Sequence, residues 1–265
     1  MAGMEIACDV RCFAPLGWET ALREIRAADL RHVELPLAVL ADERGVIADE
    51  AVACCRRLLD ELGLTVAAVQ LGDVDPVSGL TIAQQLRASL VVVDAGRADS
   101  DTERAAAIER LRHLCDAPAE RGLVVALDTL PGLCGDAREM LRLLRELPHP
   151  AAGLYFDTGA YVALNPGASG EVALQRVCTH LAGVRLRDAT GTPGDEDYPP
   201  LGQGAAVDFA RTRDILQALR FGGPCSISFR LHRGRKPPTI EQCRAGLQRS
   251  LLQLRRGGWF EESNP

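Results

Sequence analysis

The sequence predicts an α/β protein folded as one closed (β/α)8 barrel, and three observations lead there. Short runs rich in Val, Leu, Ile and Phe alternate with longer stretches of helical periodicity along the whole chain. Eight of each are spread over 265 residues with no Pro/Ser-rich linker, against the roughly 250 residues that such a barrel needs. Four of the later runs carry polar residues at their C-terminal ends: Leu123–Thr129 has Asp128, Gly153–Asp157 has Asp157, Leu181–Asp188 has Arg185, Arg187 and Asp188, and Cys225–Arg230 has Ser228 and Arg230. A parallel barrel builds its site at such strand ends. A doubly wound open sheet is the rival, but eight regular units favour closure.

Taken in order, Glu5–Cys8 reads as the first strand and Trp18–Ala28 as a helix with Ala21, Leu22, Ile25 and Ala28 at helical spacing. Arg31–Leu35 is the second strand, with His32 and Glu34 in one phase and Val33 and Leu35 in the other. Asp49–Leu62 places Val52, Cys55, Leu58, Leu59 and Leu62 on one stripe, and Gly63 closes it as a C-cap. Leu64–Leu71 is the third strand, Gly72–Pro76 a loop, Leu80–Ala88 a short helix and Leu90–Asp94 the fourth strand. Asp101 caps a helix to about Glu120, and Gly122 leads into the strand holding Asp128. Asp136–Leu147 is a helix, Tyr155–Asp157 a strand that turns on Gly159, Leu164–Gly170 a loop and Glu171–His180 a helix. After the seventh strand a polar loop, Ala189–Gly204, precedes the helix Phe209–Arg220, which Asp208 caps. Gly222-Gly223-Pro224 leads into the last strand, Pro237-Pro238 starts the helix Thr239–Arg255, and Gly257–Pro265 is a tail.

Composition narrows the function classes. A net charge of −6 and a pI near 5.5 argue against a nucleic-acid-binding surface, which is normally basic. No apolar run approaches the roughly 20 residues of a membrane span, and Met1–Val10 lacks the pattern of a signal peptide, so a cytoplasmic location is expected. The nine cysteines are odd in number and contain no C-x-x-C, which favours buried free thiols over disulfides or a zinc site. Cys8 stands out among them because it lies near the end of the first strand.

Several segments together resemble the xylose-isomerase-like TIM barrels, the superfamily of sugar phosphate isomerases/epimerases and endonuclease-IV-type enzymes. They are Ala21–Leu35, Ala119–Asp128, Phe156-Asp-Thr-Gly159, His180–Asp188, Leu201-Gly-Gln-Gly204 and Gly223–Ser228. The likeness spans nearly the whole chain. Its most specific pieces are the Asp-Thr-Gly turn and the Leu-Gly-Gln-Gly loop followed by Val-Asp-Phe. The resemblance implies one divalent metal held by Glu, Asp, His and Glu from strands five to eight. At those positions the chain has Asp128, Asp157, Arg185 and Ser228. The His that usually ends the Asp-Thr-Gly motif is Ala160, Gln70 occupies a place often taken by His, and Arg187 stands where Lys is common.

These departures change the expected chemistry. Hard cations want several oxygen ligands and softer ones want imidazole or thiolate, whereas a guanidinium cannot coordinate at all. Arg for His adds one positive charge and Ser for Glu removes one negative charge, the two units that a divalent ion would carry. No cofactor is therefore expected, with a divalent metal as the alternative. Alternate strand residues face inward, so Arg185 and Arg187 share a parity, as do Ser226, Ser228 and Arg230. Arginines suit a carboxylate, phosphate or enolate oxygen. On this reading Asp128, Asp157 and Arg185 are catalytic, and Glu34, Gln70, Arg187, Ser228, Arg230 and His232 bind substrate.

Three functions follow from these residues. The first is an isomerase, epimerase or dehydratase that works without metal on a small polar, anionic carbonyl or polyhydroxylated substrate. The second is a metal-dependent isomerase whose ligands are Asp128 and Asp157 with Gln70, Glu34 or water. The third is a non-catalytic small-molecule binder or assembly partner. Structural readings stand beside these: the Arg and Asp residues as ion pairs holding the barrel, Glu34 and His32 as a pair ending strand two, and Gly202 and Gly204 either turning a loop or holding an anion by their N–H groups. The expected partner is a small molecule, with homo-oligomer formation open.

Overall fold

Eight parallel strands close into a barrel in chain order, β1 pairing with β8. A computed structural model describes residues 4–119, 122–192, 198–231 and 237–260. The strands are β1 (Glu5–Asp9), β2 (His32–Pro36), β3 (Thr65–Gln70), β4 (Leu90–Val93), β5 (Val124–Asp128), β6 (Ala152–Asp157), β7 (Leu181–Leu186) and β8 (Pro224–Ile227). Around them run α1 (Trp18–Ala27), α2 (Asp49–Leu62), α3 (Pro76–Gln85), α4 (Asp101–Ala119), α5 (Ala137–Glu146), α6 (Thr158–Leu164), α7 (Gly170–Val177), α8 (Phe209–Ala218) and α9 (Ile240–Arg256).

The main core lies between the sheet and the helices, where outward residues such as Val33, Leu35, Val91 and Phe156 meet Ile25, Leu59 and Leu174. A second, small core fills the barrel itself: Ala68, Leu90, Val92, Ala126 and Tyr155. Tyr155 is the only large ring in that interior group, and Gly183 on β7 makes room for it. A Cβ on Gly183 would sit 2.5 Å from Tyr155 Cδ2, inside van der Waals contact. The interior is thus plugged by one phenol, and polar residues of the same parity stack above it.

Three local expectations are corrected. Helix α3 begins at Pro76 rather than Leu80, because the Asp75 carboxylate caps it through the Ser78 N–H and Pro76 occupies its first turn. The Asp-Thr-Gly segment does not turn on Gly159. Asp157 caps α6 by accepting from the Ala160 N–H at 2.8 Å, and Gly159 is small because a Cβ would lie 2.9 Å from the Arg187 and Asp188 carbonyl oxygens. Finally, β1 continues into a 3-10 segment, Val10–Leu16, whose first turn carries Arg11. β8 ends at Ile227, so Ser228 follows the strand, its N–H still donating to the Leu186 carbonyl at 2.9 Å.

All nine cysteines are free, and all but Cys54 and Cys178 are buried. Cys8 belongs to the core, where burial pushes its thiol well up. Among the described residues no helix is long and apolar enough to cross a membrane.

Candidate functional site at the barrel mouth

On every strand but β4, whose inward Val92 belongs to the interior core, a polar residue faces inward near the C-terminal end, and β7 supplies the centre. Asp157 and Arg185 are register partners on β6 and β7, as are Asp9 and Glu34 on β1 and β2. The Arg185 guanidinium reaches three carboxylates on three other strands. Its Nε donates to Glu34 Oε1 at 3.0 Å, and its Nη1 donates to Asp128 Oδ1 at 3.0 Å, Asp128 Oδ2 at 3.1 Å and Asp157 Oδ2 at 3.2 Å. The Tyr155 hydroxyl rises from below to donate to Glu34 Oε2 at 2.8 Å and meets Ser226 Oγ at 2.8 Å, while its ring lies under the guanidinium at 4.8 Å. Gln70 donates to Asp128 Oδ2 at 3.1 Å.

A second tier lies outside this cluster. Arg187 Nη1 is 2.9 Å from Asp157 Oδ2, and its Nη2 donates to Ser228 Oγ at 3.0 Å. The Ser228 hydroxyl in turn donates to Asp9 Oδ2 at 3.0 Å. Asp9 also accepts a two-pronged contact from Arg11, Nε to Oδ1 at 3.1 Å and Nη2 to Oδ2 at 2.8 Å. Such fork contacts fix a guanidinium in orientation as well as position. The two tiers hold four carboxylates (Asp9, Glu34, Asp128, Asp157) and three guanidinium groups (Arg11, Arg185, Arg187).

The imbalance is visible in the titration of the group. Burial raises the Asp128 carboxyl; Arg185 only partly offsets this, and Asp157 and Glu34 push the same way as burial. Burial would raise Asp9 too, but Arg11 outweighs it and, with Arg185, brings that carboxyl from 3.8 down to about 2. Burial alone would lower Arg185, yet Asp128, Glu34 and Asp157 hold it well above the usual guanidinium value.

Exposure separates the two tiers. The Arg185 side chain is 3% exposed, Arg187 14% and Arg11 34%. A cavity of about 250 Å³ opens on the outer tier, lined by Arg11, Arg187, Ser228 and Arg230 with Tyr198, Phe229 and Pro15. Asp128, Asp157 and Arg185 do not line it. The structure therefore gathers Glu34, Gln70, Asp128, Asp157, Arg185, Arg187 and Ser228 in one network, and sets Arg230 at the rim, exposed. His232 lies outside the described residues. Asp9, Arg11 and Tyr155 were missed by sequence reasoning. Asp9 has the same parity signal as the other strand ends, but Arg11 sits on a 3-10 turn that carries no such signal.

Two further expectations are settled otherwise. His32 and Glu34 do not pair: His32 Nδ1 is 2.7 Å from Thr65 Oγ1 at the N-terminal end of the barrel. Gly202 and Gly204 do hold an anion, but it is the protein's own. Both N–H groups donate to Asp188 Oδ2 at 2.8 Å, anchoring the loop that carries Tyr198, whose ring lies 4.4 Å from the Arg187 guanidinium carbon.

The residues present do not suit a divalent cation. The oxygens of Glu34, Asp128 and Asp157 that would face one are turned onto Arg185, which cannot coordinate. Among the described residues no cluster of three or more His, Cys, Asp or Glu side chains is arranged to hold a metal.

With this geometry in place, the chain's relationships are plain. It belongs to the xylose isomerase-like TIM barrel family, whose model matches residues 22–250. No curated protein matches it. Among solved structures it is similar to a xylose isomerase domain protein from Planctomyces limnophilus, at 17% identity and a TM-score of 0.76, covering 96% of this chain and 97% of that one. A D-allulose 3-epimerase from Methylomonas sp. follows at 18% identity and TM-score 0.73, with 97% and 99% covered. The probable 3-DHS dehydratase AsbF of Bacillus anthracis has 16% identity and TM-score 0.70, with 92% and 98% covered. At these identities the likeness establishes the fold.

Proposed function

We propose that this member of the family is a metal-independent isomerase, epimerase or dehydratase acting on a small anionic substrate with a carbonyl or hydroxyl group beside an acidic carbon. The observation that carries the reading is the linkage of two elements in one mouth. A carboxyl raised by burial, Asp128, is joined through Arg185 and Asp157 to Arg187, which lines a cavity whose wall presents guanidinium groups. Epimerases and a dehydratase among the structural neighbours support the reaction class.

Arg187 and Arg11 hold the substrate's negative oxygen and stabilise the charge that develops as a C–H proton leaves, an electrostatic role that preorganised donors fill well. Asp128 moves the proton. It carries a proton between the acidic carbon and the carbonyl oxygen or departing hydroxyl. Gln70, half-buried and bonded to Asp128, is the group whose displacement by substrate opens that carboxyl to the cavity. Arg185 supplies the positive charge that the wider family's metal would supply, and Asp157 holds both Arg185 and Arg187 in place.

The test is proton exchange. Small hydroxy and keto acids incubated with the protein in D2O should lose a C–H signal by NMR, and Asp128→Asn should abolish the exchange. A second reading, a non-catalytic binder, is favoured by the engagement of Asp9, Glu34, Asp128 and Asp157 in ion pairs. Saturable binding with no exchange for any bound acid would establish it instead.

A further inference from the structure

Tyr155 belongs to the group that fills the barrel interior and is fully buried. A phenylalanine could fill the same space, and the proposed chemistry gives the phenol oxygen no part. That oxygen is nevertheless wired into the charges above it. The hydroxyl donates to Glu34 Oε2 at 2.8 Å and lies 2.8 Å from Ser226 Oγ. A phenol has one proton to give. With that proton on Glu34, Ser226 is the donor in the second contact. The chain of hydrogen bonds then runs from Ser226 through Tyr155 to Glu34, each step directed at the carboxylate.

Glu34 is thereby held from two sides. Its Oε2 is fixed from below by the phenol, and its Oε1 accepts Arg185 Nε at 3.0 Å, with Arg11 Nη2 3.5 Å away. A guanidinium is planar and rigid. Seating its Nε edge on Glu34 leaves Nη1 to reach Asp128 Oδ1 at 3.0 Å and Asp157 Oδ2 at 3.2 Å. The plane itself is set by the Tyr155 ring, whose centroid lies 4.8 Å from the guanidinium carbon. One residue of β6 thus governs both the tilt of Arg185 and its rotation in its own plane. Without the hydroxyl, Glu34 Oε2, already 3.4 Å from Arg185 Nε, is free to turn onto the guanidinium and draw it away from Asp128.

We propose that Tyr155 is a positioning residue whose hydroxyl, acting through Glu34, decides which edge of Arg185 faces Asp128 and Asp157. Ser226 supports it by keeping the phenol proton directed at Glu34. The consequence for turnover rests on the assignment of Asp128 as the group that moves the proton.

Tyr155→Phe tests it, because the ring and its contact with Arg185 remain and only the oxygen is lost. For an acid that the wild type exchanges in D2O, the maximal rate should fall about ten- to hundredfold, the weight of a hydrogen bond to a charged group. The half-saturating concentration should stay near that of the wild type, since the cavity wall is untouched. A second readout needs no substrate: the NMR signal of the Arg185 Nε–H, identified by its absence in Arg185→Lys. It should move in Tyr155→Phe, and by less in Ser226→Ala, which also serves if Tyr155→Phe does not fold. An unmoved Arg185 signal in the folded variants would overturn the proposal. So would a wild-type maximal rate in Tyr155→Phe, or a loss of rate no greater than the loss of folded protein. If the wild type exchanges no acid, the proposed reaction fails, and the Arg185 signal still decides whether Tyr155 positions the guanidinium.

Discussion

Arg185 and Glu34 are 151 positions apart in sequence and joined at the centre of the barrel, the guanidinium Nε donating to Glu34 Oε1 at 3.0 Å. Neither side chain reaches solvent. The pair is one arm of a contact that also gathers Asp128 and Asp157, so a single cation organises charges from β2, β5 and β6. Its burial keeps Arg185 out of the cavity wall, which Arg187 and Arg11 line.

Replacing Arg185 should therefore be read first in stability. Arg185→Met leaves Asp128 without a cation, and Glu34 and Asp157 with only Arg11 and Arg187, so about 3–5 kcal/mol of unfolding free energy should be lost. Arg185→Lys should fall between, since an ammonium keeps the charge but cannot span Glu34, Asp128 and Asp157 together. Urea unfolding at neutral pH measures both. Equal stability of Arg185→Met and wild type would remove Arg185 from the centre of the network.

Asp9 and Asp128 should respond to pH with opposite signs. Asp9 is held at about 2 in the folded chain, below its unfolded value, so its contribution is present above about pH 4 and is lost as pH falls toward 2. Asp9→Asn should cost about 2 kcal/mol at neutral pH and flatten the acid limb of a stability–pH curve.

Asp128 is raised, so its contribution is present below the ordinary carboxylate range and declines as pH rises through its elevated value. Asp128→Asn keeps a polar group of the same shape and brings the network to three negative and three positive charges. It should be at least as stable as wild type at pH 8, in contrast to Asp9→Asn. Unfolding curves for both variants across the pH range decide the matter, and a large loss for Asp128→Asn at pH 8 would show that Asp128 is needed as an anion.

The barrel plug offers a packing test. Gly183→Ala drives a methyl group into the Tyr155 ring and should cost about 1–3 kcal/mol. In the double variant Gly183→Ala/Tyr155→Leu the two changes should couple, the second costing less than it does alone. Additive losses would mean that β7 shifts to accommodate the methyl group.

Chelation separates the mouth from a metal centre. Prolonged treatment with a strong chelator should leave the midpoint of thermal unfolding unchanged, and added Mn²⁺ or Mg²⁺ should not raise it, because a ligand bound only by the native state stabilises by mass action. A rise of several degrees with Mn²⁺ would restore the metal-dependent alternative.

The sequence by itself determined the barrel, since its alternation of apolar runs and amphipathic segments is local and repeats eight times. It also determined which strand ends carry charge, because inward parity is a period of two that can be counted along each strand. Asp128, Asp157, Arg185, Arg187 and Ser228 were legible as polar residues at strand ends, Glu34 from its phase on strand two, and Gln70 only through the family resemblance. What only the tertiary structure decided is who meets whom and who faces solvent. Contacts such as Arg185 with Glu34, or Ser228 with Asp9 across the β8–β1 closure, depend on the stagger of a closed sheet, which no local pattern encodes. Arg11 belongs to the site only because Val10–Leu16 folds back over the mouth. The division between a buried tier and an exposed tier has the same origin. Tyr155 fills the barrel from below, so the charges stack upward, and the ones left at the surface are Arg11, Arg187 and Arg230.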